Sequence, residues 1–161
     1  MRKTLAIVAA LLLTATAFAQ DGKSVYEKYS NSENVSAVYI SPSMFKMMGR
    51  LPEMSIGEGD VDLTPIIKSL TGFYLVNSEN ASINASMKAD VDKFVKAKKY
   101  EHMMEVKDGG ESVNIYVMSK GDIINSFVML AYESDECTFI SFDGQIPREQ
   151  LEKLIAQAIK S

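Results

Sequence analysis

Tryptophan is absent, and the 161 residues include one cysteine, one histidine and four prolines. With Cys137 alone, no internal disulfide can form, so stability has to come from packing. With His102 alone, a Ser-His-Asp or Cys-His constellation could be built only around that one imidazole, and no partner that would orient it is evident. There is no Gly-x-Ser-x-Gly elbow. Gly57-x-Gly59 and Asp108-Gly109-Gly110 lack the strand-then-helix spacing and the lysine of a phosphate loop. Positive charge is also short: 17 Lys and Arg stand against 21 Asp and Glu. That balance argues against nucleic acid and anionic membrane surfaces as partners.

The first nineteen residues form a separate unit. Arg2 and Lys3 make a basic start, Leu5 to Ala15 is an apolar run, and Ala17-Phe18-Ala19 is a small-x-small cleavage site. The expectation is a secretory signal peptide over residues 1–19 and a single domain over residues 20–161. The apolar run is short for a bilayer span, so no transmembrane segment is expected after cleavage. No cysteine sits at the cleavage point to carry a lipid. Loss of Arg2 and Lys3 leaves 15 basic against 21 acidic residues, a formal charge of −6.

Strand patterning is strongest from Tyr100 to Phe142. Tyr100, His102, Met104 and Val106 alternate with Glu101, Met103, Glu105 and Lys107, and Val113, Ile115 and Val117 alternate with Ser112, Asn114 and Tyr116. A period of two places one set on a core. Phe127-Val128-Met129-Leu130-Ala131 is apolar on both faces, as in a central strand. Glu136 to Phe142 gives a fourth strand. The connections Asp108-Gly109-Gly110, Lys120-Gly121-Asp122 and Glu133-Ser134-Asp135 suit tight hairpins, which predicts an antiparallel meander.

Upstream, Ser24 to Glu27 has capping-box spacing for a short helix. Val35 to Ile40 is apolar at nearly every position and reads as an interior strand. Ser41-Pro42 opens a helix bearing Met44, Phe45, Met47 and Met48. Arg50 to Asp60 is a long loop, Val61 to Leu70 a helical turn or two, and Phe73 to Val76 a strand. Asn77 to Asn84 is turn-like. A helix follows over Ser86 to Lys98, with Met87, Val91, Phe94 and Val95 on one side. Pro147 starts the last helix, with Leu151, Leu154, Ile155, Ala158 and Ile159 at helical spacing. The fold class expected is α+β: a largely antiparallel sheet ending in a four-strand meander, with helices packed on one face.

Several phrases carry a resemblance: Asn34-Val35-Ser36-Ala37-Val38-Tyr39-Ile40-Ser41 with Met44 and Phe45; Leu70-Thr71-Gly72-Phe73-Tyr74-Leu75; Lys99-Tyr100-Glu101; Asn114-Ile115-Tyr116; Glu133; and Phe139-Ile140-Ser141-Phe142-Asp143-Gly144. Together they resemble the domain-of-unknown-function family four-two-five-two. The resemblance implies a small exported protein of a Gram-negative envelope, in the periplasm or at the periphery of the outer membrane. It supplies no catalytic or binding residues.

Two functional readings compete. The first is a non-enzymatic binding or interaction module for an envelope protein or an apolar ligand, requiring no cofactor and no metal. Its candidate surface is Met44, Phe45, Met47, Met48 and Met54, because methionine surfaces adapt to varied apolar partners. The second is a small periplasmic hydrolase using acids from Glu53 to Asp62, or His102. Soft-metal ligation by Met44, Met47 and Met48 or by His102, Met103 and Met104 is disfavoured, since simple alternation sends Met103 and Met104 to opposite faces. Calcium at Glu58, Asp60 and Asp62, or at Glu133, Asp135 and Glu136, lacks the EF-hand register.

Overall fold

The computed structural model describes residues 21–48, 54–56, 59–61 and 64–160. The expected signal peptide over residues 1–19 lies outside them. Helix α1 spans Gly22–Tyr29 and strand β1 Val35–Ile40, followed by α2 at Pro42–Met48. A small hairpin, β2 (Met54–Ile56) and β3 (Gly59–Val61), stands where the sequence reads as loop. A 3-10 helix at Thr64–Ser69 leads into β4 (Leu70–Ser78), then α3 (Ala81–Ala97). The meander follows as β5 (Glu101–Asp108), β6 (Glu111–Lys120), β7 (Ile123–Tyr132) and β8 (Cys137–Pro147), and α4 (Arg148–Lys160) closes the order.

Six strands form one antiparallel sheet in the order β1-β4-β8-β7-β6-β5. The α+β class and the meander are therefore as expected. Gly109, Gly110 and Gly121 all have positive φ, the conformation that short hairpin connections demand. β7 lies between β6 and β8, and its Phe127, Val128, Met129 and Leu130 are buried in succession. Apolar residues on both faces are what a central strand needs.

Two sequence expectations change here. The helices cover both faces of the sheet, not one. On the first face, α2, the 3-10 helix and α4 bring Phe45, Ile66, Ile67, Leu151 and Leu154 against Ile40, Phe73, Phe127, Ile140 and Phe142. On the second, α1 and α3 bring Val25, Tyr29, Met87, Val91 and Phe94 against Val76, Val128, Leu130, Cys137 and Phe139. Adjacent residues Phe139 and Ile140 thus enter different cores, which a sheet with one wet face would not allow. The second correction concerns β1. Among the described residues it pairs with β4 alone and forms an edge of the sheet, with Val38 and Tyr39 exposed. A strand apolar at nearly every position reads as interior; the tertiary arrangement gives it an edge.

Local boundaries also move. α1 is capped by Asp21, whose carboxylate accepts from the Ser24 backbone N–H and hydroxyl, both at 2.9 Å. Ser24 is therefore not the cap. α3 begins at Ala81 under an Asn80 cap, whose side-chain oxygen accepts from the Ser82 and Ile83 N–H groups at 3.1 and 3.3 Å; Asn84 thus lies in the helix, buried, and donates its amide to the Ser134 carbonyl at 3.2 Å. β8 runs on to Pro147, so α4 starts one residue later, at Arg148.

Candidate interaction surface

The sheet has two edges, and the chain treats them differently. An edge strand exposes unpaired backbone N–H and C=O groups and invites pairing with another strand. β5, at one end, carries Glu101, His102, Glu105, Lys107 and Asp108, all exposed. Lys107 pairs with Glu105 at 2.8 Å and holds that carboxyl below the usual carboxylate range. The pairing with β6 shifts between His102 and Met104, leaving Met103 as a bulge. Charge and a bulge are the usual protections of an edge.

The bulge also rearranges side chains. It brings Met103 and Met104 against the same first-face core, contrary to simple alternation. Arg148 reaches over this strand, donating to Glu101 at 3.0 Å, to Ser119 at 2.9 Å and to the Met103 sulfur at 3.8 Å. His102 lies on the opposite face from the two methionines. Its ring stacks on Tyr116 at 4.7 Å, and Nε2 is 2.9 Å from the Asn114 side-chain oxygen. Of the acids in the hydrolase reading, Glu53, Glu58 and Asp62 lie outside the described residues. Among the described residues, no three His, Cys, Asp or Glu side chains are grouped to hold a metal.

β1 has none of β5's protections. Val35-Ser36-Ala37-Val38-Tyr39-Ile40 contains no charge and no proline, and its register with β4 is unbroken from Val35↔Ser78 to Ile40↔Phe73. Val38 is 44% and Tyr39 49% exposed. Tyr39 stacks on Tyr74 at 5.3 Å, and Tyr26 of α1 leans on both rings, at 6.0 and 5.8 Å. Burial, with lesser contributions from Tyr39, Asp143 and Asp21, pushes the Tyr74 phenol up to about 12. The inner two tyrosines thus buttress an exposed third.

The chain leaves β1 through Ser41, which caps α2 by accepting from the Met44 N–H at 3.2 Å. That cap fixes the helix rotation. Phe45 turns inward and is 4% exposed, while Met44 is 46% and Met47 82% exposed. The expected surface is corrected at Phe45, which belongs to the monomer's core and anchors the helix. The side chains of Met48 and Met54 lie outside the described set. Val38 and Tyr39 join the candidate surface in its place. The signal for them was present: an apolar, uncharged six-residue strand fits an open edge as well as an interior one.

A polar cluster lies under the start of α1. Tyr100 and Ser126 share a hydrogen bond at 2.8 Å, and Asp143, on the strand beside Ser126, hydrogen-bonds the same serine. Burial raises the Asp143 carboxyl above its ordinary value despite that bond. The sequence does not single out these residues, because the network joins β7, β8 and the residue before β5, which are far apart along the chain.

The model of the family described as Domain of unknown function (DUF4252) matches residues 28–154. The chain belongs to this family. The match spans every described element after α1 up to the first half of α4, so β1, α2 and the whole sheet are DUF4252 features. No curated protein and no solved structure matches the chain.

Proposed function

We propose that this DUF4252 protein is an exported, non-enzymatic contact module of the cell envelope. Its working surface is the outer edge of β1, with Val38 and Tyr39, continued by Met44 and Met47 on α2. The observation that carries this reading is the contrast between the two sheet edges. A chain that spends charge and a bulge on β5 leaves β1 open, uncharged and flanked by flexible thioethers. Export is supported by the basic start, apolar run and Ala17-Phe18-Ala19 of the leader. The partner that fits is an envelope protein presenting an extended or apolar segment, since backbone pairing supplies affinity and adjacent side chains supply selectivity.

The test is a photo-crosslinking side chain placed at Met47 in the native cell, with Lys153 on α4 as the control position. A discrete cross-linked product at position 47, weakened by Met44→Gln, supports the surface. Equal labelling at both positions contradicts it. N-terminal sequencing of protein from the envelope fraction tests export separately, with Gln20 as the expected first residue. An intact leader on cytoplasmic protein contradicts it.

A further inference from the structure

Within this reading, the β1 edge has enough geometry to specify a partner. The Glu79 backbone N–H donates to the Asn34 carbonyl at 3.0 Å, one step before the β1–β4 register begins at Val35↔Ser78. In an antiparallel ladder, alternate residues direct their backbone groups to opposite sides. Asn34 points to β4, so Ser36, Val38 and Ile40 do as well. Val35, Ala37 and Tyr39 therefore turn their N–H and C=O groups outward.

We propose that two copies of this chain pair along β1, antiparallel, with Val38 of one opposite Val38 of the other. The proposal rests on the β1 edge being a contact surface and names its occupant as a second copy. Three features favour self-pairing. First, a two-fold axis through Val38 places the outward-directed Ala37 opposite the equally outward-directed Tyr39 of the second copy. Each such pair exchanges two backbone hydrogen bonds, and symmetry makes two pairs. Second, sizes and faces match. The two Val38 side chains meet on the first face at the close spacing of a non-hydrogen-bonded pair. On the second face each Tyr39, already stacked on its own Tyr74, meets a small Ala37. Third, charges are compatible. A strand pairing with itself brings its central residue against an identical one, and β1 is uncharged throughout. Just beyond it, Glu33 flanks one end and Lys46 of α2 the other, both exposed. Antiparallel pairing brings each Glu33 toward the Lys46 end of the second copy. The product is one continuous twelve-stranded sheet, twice the six strands of one chain, with the protected β5 strands as its outer edges.

The test uses the leader-free chain in sedimentation velocity from micromolar to near-millimolar concentration. Far-ultraviolet circular dichroism and thermal unfolding check that each variant folds. Wild type is expected to form a dimer and stop there. Val38→Lys and Val38→Glu each set like charges face to face and weaken self-association on the order of a hundredfold. Mixing the two restores a dimer of one chain of each kind, which only a register pairing position 38 with itself allows. Ala37→Pro removes an outward N–H without touching the β4 ladder and also yields a monomer. A wild-type chain that stays monomeric throughout, or folded Val38→Lys and Val38→Glu chains that dimerise as wild type does, or a mixture that fails to pair, overturns the proposal. Each of those results leaves the cross-linking test at Met47 standing, so failure of the pairing is separable from failure of the contact surface.

Discussion

Gly22 packs so closely on Ser141 that a Cβ on the glycine would lie 2.1 Å from the serine hydroxyl and 2.5 Å from its Cβ. This contact seats the first turn of α1 on β8 over the second core. Gly22→Ala therefore forces helix and sheet apart, at a cost of about 1–3 kcal/mol, more than the helix-propensity gain of alanine returns. Thermal unfolding should show a Tm several degrees lower, with partial recovery in Gly22→Ala combined with Ser141→Gly. A Tm at or above wild type for the single variant would mean that α1 does not sit there.

Ser141 itself has a fully buried hydroxyl with no hydrogen-bond partner among the described residues. An unmade bond of this kind costs about 1–3 kcal/mol of desolvation, so Ser141→Ala is expected to stabilise the fold. Chemical denaturation would show a higher midpoint with an unchanged slope; a lower midpoint would contradict the assignment.

Asp143 gives the fold a pH dependence of definite sign. Burial raises its carboxyl above the ordinary value, with the Ser126 hydrogen bond opposing. Between the unfolded and folded values the native state binds more protons, so this group's contribution to stability falls as pH rises through that window. Asp143→Asn removes the buried charge and keeps an acceptor for Ser126. Its Tm should exceed wild type at pH 7 and converge with it below the ordinary carboxylate range. A destabilised Asn variant at pH 7 would show that the charge is favourably used.

Cys137 is fully buried, and burial pushes its thiol up to about 12. A thiol that is neither ionised nor reachable does not attack disulfide reagents. Native protein should leave such a reagent unconsumed over the time in which denatured protein consumes one equivalent. Fast reaction in the native state would place β8 nearer the surface than it is here.

Local signals carried well from sequence to structure. The glycine turns, the alternation of β6 and the doubly apolar β7 place three strands correctly, because each is a property of consecutive residues. What failed was non-local. Whether an apolar strand such as Val35–Ile40 is interior or at an edge depends on what lies beside it, and its own residues do not say. The second covered face was legible in principle, since Phe139, Ile140 and Phe142 leave β8 no polar side. The Met103 bulge could not be read, because alternation presumes an unbroken ladder. On the candidate surface, Met44 and Met47 are exposed on the helix that Ser41-Pro42 announces. Phe45 was misplaced because helix rotation is set by the Ser41 cap and by what β4 offers. Tyr39 was missed because its exposure follows from strand order.

Residue-resolved amide hydrogen exchange tests most directly whether the flank of the sheet at β1 is open. In the dilute monomer, Ser36, Val38 and Ile40 should be protected by their bonds to β4, while Ala37 and Tyr39 exchange freely. On concentration, Ala37 and Tyr39 should gain protection together. Protection of those two amides already at high dilution, equal to that of Val38, would mean the chain covers its own edge and would contradict the account.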